Sequence, residues 1–512
     1  MTSTPNASGM VLLPLTLAWL AWLALGARTL WSARRSTPPA AWLTAALMFA
    51  GALALRLAAP GVPHDINPRT DEVFQPWDQI QWRYTHGLVA LMRAVWVLGV
   101  VVDDRVVFGV VAVAGALCVP LIDLVTRRLG GGRLAGLVAA LVLGGVGLHV
   151  RYSHTDAPQI VEILLTLVAV IAATAPRAPP ATDVAWVGLS LGLTAAMRPE
   201  GMAIPFLLGL WALACGVRWP TQRVAAVGAL VVLVALPDLV GVTLGQGPSA
   251  RGASLDQGHG ALTWGLAHYA PFNAVFVPTA LGLLTLTAPW GRPGPRRGLA
   301  TLALMFALGS LVANASWSIG ATPVWCLARH QLRVLPWMAL LIGLGVEGLV
   351  DRVVNWTRQD ARAPLSALAA LGIAGLTATT LPDAYSRFTL AEEYAFIRQH
   401  LAEIPDGCTV VTERDVTDRG LLLRDGLAFL HQRLTWQDVG DDITPTPCLI
   451  YYRSALCTSV EPGEPADLCA AFEHSHTMQP IAEAHIIARG WLWERYATPT
   501  LRVGYYRVTD PP

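Results

Sequence analysis

The residues able to do chemistry in this chain sit in short polar islands between long apolar runs. The first island is "TDEVFQPWDQ" at 70–79, with Asp71 and Glu72 side by side and Gln75 close behind. The second is "RYSHTDAP" at 151–158, which carries His154 and Asp156. The third is "LARHQLR" at 327–333, with Arg329, His330 and Arg333. Arg198 sits in "MRPEG" at 197–201, and His86 in "THG" at 85–87. A carboxylate is suited to take the proton from a hydroxyl as that hydroxyl attacks the anomeric carbon of a sugar. Arginine is suited to hold a phosphate through paired hydrogen bonds and to stabilise it as it departs. Acids from two islands and bases from the others thus describe one reaction if a single cavity gathers them. A leaving phosphate that carried a long lipid would place that cavity at a membrane interface.

The elements that must position these residues are membrane helices. Hydrophobic residues make up 54% of the 512 and charged residues only 14%, with a mean hydropathy of +0.48. That is too little charge to cover a soluble protein of this size. The charge is clustered, and it leaves apolar runs near the ~20 residues needed to cross the hydrocarbon core. We read spans at 10–27, 40–59, 105–126, 133–150, 158–175, 184–197, 201–216, 222–244, 271–289, 298–317, 331–350 and 364–381. The pair around Pro199 is short and reads as a broken hairpin. The apolar stretch 86–100, with Arg93 inside it, reads as an interfacial helix on the outer leaflet and not as a span. The first run has no basic residues before it, while Arg28, Arg34 and Arg35 follow it. This predicts an uncleaved helix whose start lies outside.

If the spans alternate, six Arg-bearing loops share one side: 28–35, 126–133, 176–180, 217–223, 291–297 and 351–362. That side should be cytoplasmic. The opposite, external side then receives 61–104, 151–158, 245–271 and 317–331, which bring the His, Asp, Glu and aromatic residues. Trp77, Trp82 and Trp96 fit an interfacial belt, with stacking on sugar faces as the alternative. After about residue 382 the apolar periodicity stops, and short β-like runs alternate with helical ones. We therefore expect a membrane domain over 1–381 and a small external α/β domain over 382–512. Cys408, Cys448, Cys457 and Cys469 in the latter suggest two disulfides, with three connectivities open. Cys118 and Cys215 lie in apolar runs and read as core residues. The net charge of +1 gives no reason to expect nucleic acid. No acid cluster has a spacing that specifies a metal site, so the need for a divalent ion stays open.

Several stretches, taken in order, resemble GT-C glycosyltransferases: "THGLVALMRAVWVLG" (85–99), "VPLIDLVTRRLGGGRLAGLVAALVL" (119–143), "LHVRYSHTDAPQIVEILLTLVAVIAA" (148–173), "GLSLGLTAAMRPEGMAIPFLLGL" (188–210) and "RHQLRVLPWMALLIGLG" (329–345). The resemblance covers about residues 40–350. It lies toward the branch of protein O-mannosyltransferases, aminoarabinose transferases and RgtA–D-like enzymes, and "TDEVFQPWDQ" also resembles the DE-x-x-Q loop of GPI-type mannosyltransferases. It implies a polytopic helical membrane fold of about twelve spans and inverting transfer from a polyprenyl-phosphate sugar, at an integral membrane site on the external face of the plasma or inner membrane. It implies a catalytic acid in the first external loop, which falls on Asp71, with Glu72 the alternate. The second external acid falls on Asp156, beside His154, for acceptor positioning or metal binding. Lipid-phosphate contacts fall on Arg329, His330 and Arg333. Gln75 and Arg198 are further candidates. His86 is another, although "THG" stands where an HPP often occurs. The WWDYG pattern of oligosaccharyltransferases is absent, which argues against en bloc glycan transfer. The acceptor, whether protein, lipid or polysaccharide, is left open. A transporter or flippase of lipid-linked sugars and a non-catalytic scaffold are the competing readings.

Overall fold

The computed structural model describes residues 6–34, 37–61, 86–100, 102, 104–174, 181–197, 201, 203–214, 219–244, 332–357, 361–382, 389–413, 434–443, 446–458, 465–487 and 500–509. The chain divides into two compact units, the first built mainly from Met1–Ala59 and Gly109–Ala384, the second mainly from Tyr385–Pro512.

The apolar runs of the first unit become helices. These are α1 (Asn6–Ala33), α2 (Pro39–Ala58), α3 (Gly87–Val97), α4 (Asp104–Arg128), α5 (Arg133–Gly145) and α6 (Gly147–Tyr152). They continue as α7 (Pro158–Ala173), α8 (Ala181–Met197), α9 (Ala203–Ala214), α10 (Thr221–Leu244), α11 (Leu335–Thr357) and α12 (Arg362–Ala378). Among the described residues, Leu13–Ala33, Pro39–Ala58 and Arg105–Arg128 are long and apolar enough to cross a membrane. α2 turns Leu43 and Leu47 outward, as a lipid-facing helix does, and keeps Ala52 and Arg56, one turn apart, on its buried side. α7 is buried on all sides from Pro158 to Val170, the mark of a helix at the centre of a bundle. It packs on α8, which in turn packs on α1 and α10. The expected spans 271–289 and 298–317 lie outside the described residues.

Two expectations change. The span read at 133–150 is broken. α5 ends at Gly145, Val146 turns extended, and the short α6 starts afresh at Gly147. The cause is a close approach. The Gly147 amide donates to the Thr380 hydroxyl at 2.8 Å, and the Thr380 carbonyl lies where a side chain on residue 147 would go. The second change concerns 86–100. α3 is too short to span, as expected, yet its residues 87–94 are buried in protein and do not lie on a lipid surface. Its start is fixed by Trp19 of α1, whose indole N–H donates to the Gly87 carbonyl at 2.9 Å. The Ala196 carbonyl of α8 sits 2.6 Å from where a Cβ on residue 87 would be. Only glycine fits there, which accounts for the "THG" sequence. α5 and α11 are tied by Glu347, whose Oε2 accepts from the Gly132 amide at 2.8 Å and so caps α5.

The second unit is a small α/β domain. Helix α13 (Thr389–His400) precedes strands β1 (Thr409–Thr412), β2 (Thr435–Asp438) and β3 (Leu449–Arg453), then α14 (Pro465–Ser475), β4 (Met478–Ile487) and β5 (Thr500–Val508). The strand order is β2-β1-β3-β5-β4. β2, β1 and β3 run parallel, and β5 and β4 are antiparallel additions. Adjacent tyrosines on β3 point to opposite faces. Tyr451 meets Phe472 of α14 at a centroid distance of 4.8 Å. Tyr452 donates to Glu393 of α13 at 2.9 Å, so the two helices cover the two faces. Cys408 pairs with Cys448 and Cys457 with Cys469, which resolves the three connectivities. Cys118 is a buried free thiol.

The 408–448 bridge spans 40 residues and the 457–469 bridge 12. Loop-closure entropy then gives about 4 and about 3 kcal/mol respectively. Replacing both cysteines of the longer bridge by serine should make the 385–512 unit protease-sensitive at a lower guanidinium concentration than replacing both of the shorter one. A second test is pH. Hydrogen bonds from Arg502 and from the Tyr506 hydroxyl hold the Glu483 carboxyl below its ordinary value. The stability this contributes is present above the ordinary carboxylate range and is lost as pH falls through the lowered value. The guanidinium midpoint of this unit should therefore drop in acid in wild type, and less so in Glu483→Gln.

Candidate functional site

The break at Val146 creates the candidate site. Because α6 restarts the chain, residues 147–152 form a short separate helix and 153–157 turn into α7. His149 is fully buried on α6. Its Nδ1 lies 2.6 Å from Arg56 Nη2 of α2. A guanidinium only donates, so Nδ1 accepts and a neutral ring carries its proton on Nε2. That Nε2 is buried without a hydrogen-bond partner. Arg56 also donates to its own helix at Ala52, 2.8 Å away. The turn is held by Ser153, whose hydroxyl donates to the His149 carbonyl at 2.5 Å. Thr155 both donates to the Tyr152 carbonyl and accepts from the Ala157 amide. His154 Nδ1 contacts the Ala59 carbonyl at 2.7 Å, fastening the turn to the end of α2.

Asp156 is 1% exposed and stands just before α7. Pro158 opens that helix, where its missing N–H costs nothing. An acid at this position meets the positive end of the helix dipole. Three residues on, Gln159 is fully buried, and among the described residues neither amide atom finds a hydrogen-bond partner. One turn further, Glu162 is fully buried and meets Arg333 at two points. Arg333 Nη2 donates to Oε2 at 2.8 Å, and Nε lies 2.6 Å from Oε1. Gln159, Glu162 and Thr166 follow the i, i+3, i+7 spacing of one helix face, so α7 carries a buried polar stripe below Asp156. Leaving a buried polar group unsatisfied costs about 1–3 kcal/mol. An apolar residue at 159 would avoid that cost.

The candidates from sequence fall into four groups. Asp156 and His154 share the α6–α7 turn. Arg333 sits in the turn before α11, and two of its three nitrogens face Glu162. His86 is 2% exposed at the start of α3, held there by the fit of Gly87 between α1 and α8. Asp71, Glu72, Gln75, Arg198, Arg329 and His330 lie outside the described residues. Sequence reasoning missed Glu162, Gln159, Arg56 and His149. The signal was available for each. They are polar residues within apolar runs, and ionisable groups at membrane depth usually face partners or a cavity. Among the described residues, no group of three or more His, Cys, Asp or Glu could hold a metal ion.

No protein-family model and no curated protein matches the sequence. Solved structures do match. ArnT from Cupriavidus metallidurans, in its apo state and bound to undecaprenyl phosphate, aligns at TM-score 0.56 and 13% identity, over 92% of this chain and 98% of that one. This chain has the GT-C fold. The alignment runs through both the helical unit and the α/β domain, so the polytopic helical architecture with a small C-terminal α/β domain agrees with the expectation from sequence. An identity of 13% carries the architecture and nothing finer. The Archaeoglobus fulgidus oligosaccharyltransferase tethered with an acceptor peptide is a looser likeness, at TM-score 0.45 and 12% identity, over 77% of this chain and 64% of that one.

The buried pair gives a direct test. Removing one partner strands a charge, which costs about 3–5 kcal/mol, whereas replacing both with apolar residues is near neutral. Arg333→Met should lower the melting temperature sharply. Adding Glu162→Leu to it should restore most of the loss, as measured by thermal unfolding in detergent or nanodiscs.

Proposed function

We propose that this protein is an inverting glycosyltransferase that moves a hexosyl or pentosyl group from a polyprenyl-phosphate donor to an acceptor hydroxyl. The observation that carries the reading is the shared fold with ArnT, one of whose structures is bound to undecaprenyl phosphate. The buried Asp156 turn at the head of α7 supports it. In this reading Asp71 takes the acceptor's proton, with Glu72 as the neighbouring or alternate base. The acceptor oxygen bonds to the anomeric carbon from the face opposite the phosphate. The bond from that carbon to the phosphate oxygen breaks, and polyprenyl phosphate leaves with the electron pair. Arg329 and His330 stabilise the departing phosphate, and Arg333 supports that side of the site through Glu162. Asp156 and His154 orient the acceptor, and Gln75, His86 and Arg198 are the further residues assigned to the site in this reading. Membrane lipid delivers the donor, and a protein, lipid or polysaccharide supplies the hydroxyl.

The placement of the reaction on the external face rests on two supports. Disulfides belong to oxidising compartments, and the second unit carries two. The Arg-rich loops all fall to the other side when the spans alternate.

The test is a cell-envelope glycan profile by mass spectrometry after gene deletion, with complementation by wild type, Asp71→Asn or Asp156→Asn at matched membrane levels. One sugar should vanish in the deletion and return with wild type. It should stay down by about 10²–10⁴-fold in rate with Asp71→Asn, as for loss of a general base, and recover partly with Asp156→Asn. Full recovery with both variants would defeat the assignment.

A further inference from the structure

The Gln159 side chain is fully buried, and among the described residues neither its amide oxygen nor its amide nitrogen has a hydrogen-bond partner. Its polar neighbour on the same face, Glu162, is instead engaged at two points by Arg333. Native proteins leave few buried polar side chains unsatisfied, and those they keep need an explanation. Position is the first clue. Gln159 stands three residues after Asp156 and in the first turn of α7, at the end of the helix where the acid turn lies.

Chemistry is the second clue. A primary amide offers one acceptor oxygen and two donor hydrogens on a neutral group. An anion such as phosphate could take the hydrogens but would leave the buried amide oxygen without a partner. A cation could take the oxygen, as amide carbonyls do at calcium sites, but would leave the buried N–H donors without one. Two neighbouring hydroxyls satisfy both ends, one donating to Oε1 and the other accepting from Nε2. That is the pattern of a neutral polyhydroxyl ring. A ligand that meets a bundle-centre helix is more readily one held in the bilayer than one free in water.

We infer that Gln159 is a recognition residue for the sugar of the lipid-linked ligand, pairing its amide with two adjacent ring hydroxyls. The inference rests on the donor class proposed above, and deepens it by assigning selection of the sugar, as distinct from the phosphate, to this side chain.

The test uses the full chain in nanodiscs and two kinds of probe: undecaprenyl phosphate alone, and a panel of undecaprenyl phosphates bearing a hexose or a pentose. Affinity is read by native mass spectrometry and stability by melting temperature. Wild type should bind its best sugar-bearing lipid at least tenfold more tightly than bare undecaprenyl phosphate. Gln159→Met, which keeps the length, and Gln159→Leu should bind the bare lipid as wild type does and lose the sugar increment. Both should melt at the same temperature as wild type or higher, because an orphaned amide has been removed. If either variant folds and keeps the increment, the inference is overturned while the donor class stands. If the variants melt lower and lose affinity for both lipids alike, Gln159 is a structural residue and the inference is overturned. If wild type binds neither lipid, the donor class itself fails and the inference falls with it.

Discussion

Glu162 and Arg333 meet inside the bundle across 171 residues of sequence, and the site is built around the constraint they satisfy. A carboxylate buried in a membrane helix is tolerable only with a partner of opposite charge in good geometry. That need fixes the turn before α11 against the middle of α7. With α7 held from that side, its N-terminal end becomes a fixed platform. The Asp156 turn stands on it. Elsewhere in the first unit buried charged groups are tied by hydrogen bonds to neutral partners. Arg56 is buried against His149, and Glu347 is buried against the Gly132 amide. Each polar group at depth ties together two helices that apolar packing alone would leave free to slide, since lipid is as apolar as the side chains it would replace.

Around that platform, backbone contacts do the finer positioning. Gly147 lets the chain restart against Thr380, and Gly87 lets α3 rest on the end of α8. The first creates the turn that holds Asp156 and His154; the second sets where His86 begins α3. The α/β unit has its own organisation. Its parallel strands are pinned by the 408–448 bridge at the head of β1 and β3, and by tyrosines that face opposite ways from β3. Its Glu393 accepts hydrogen bonds from both Tyr452 and the Ala455 amide. These bonds hold α13 to the end of β3.

The architecture was largely legible in the sequence because membrane helices announce themselves by length and composition. The α/β domain was legible because periodicity changes near residue 382, and the presence of two disulfides because four cysteines fall within it. Their pairing was not legible, since spacing does not choose among three connectivities. The break at Val146 was hidden too. Nothing in "LVLGGVGLHV" distinguishes a continuous span from one interrupted by contact with Thr380, because that contact is tertiary. Asp156 stood out as an acid beside His154 at a loop mouth. Glu162 lay in "PQIVEILLTL", read there as part of a span, and its partner comes from a segment far along the chain. The phosphate role of Arg333 came from the family resemblance, and its contact with Glu162 was not legible in the sequence.

The central claim is that this fold moves a sugar from lipid phosphate to a hydroxyl. The most direct measurement reconstitutes the purified chain in proteoliposomes with radiolabelled polyprenyl-phosphate sugars and an envelope acceptor fraction. It follows the label into acceptor and into the opposite leaflet. The account predicts label in the acceptor together with release of an equal amount of polyprenyl phosphate, and inverted anomeric configuration in the product. Movement of intact labelled lipid across the bilayer with no label in any acceptor would contradict it and identify a transporter.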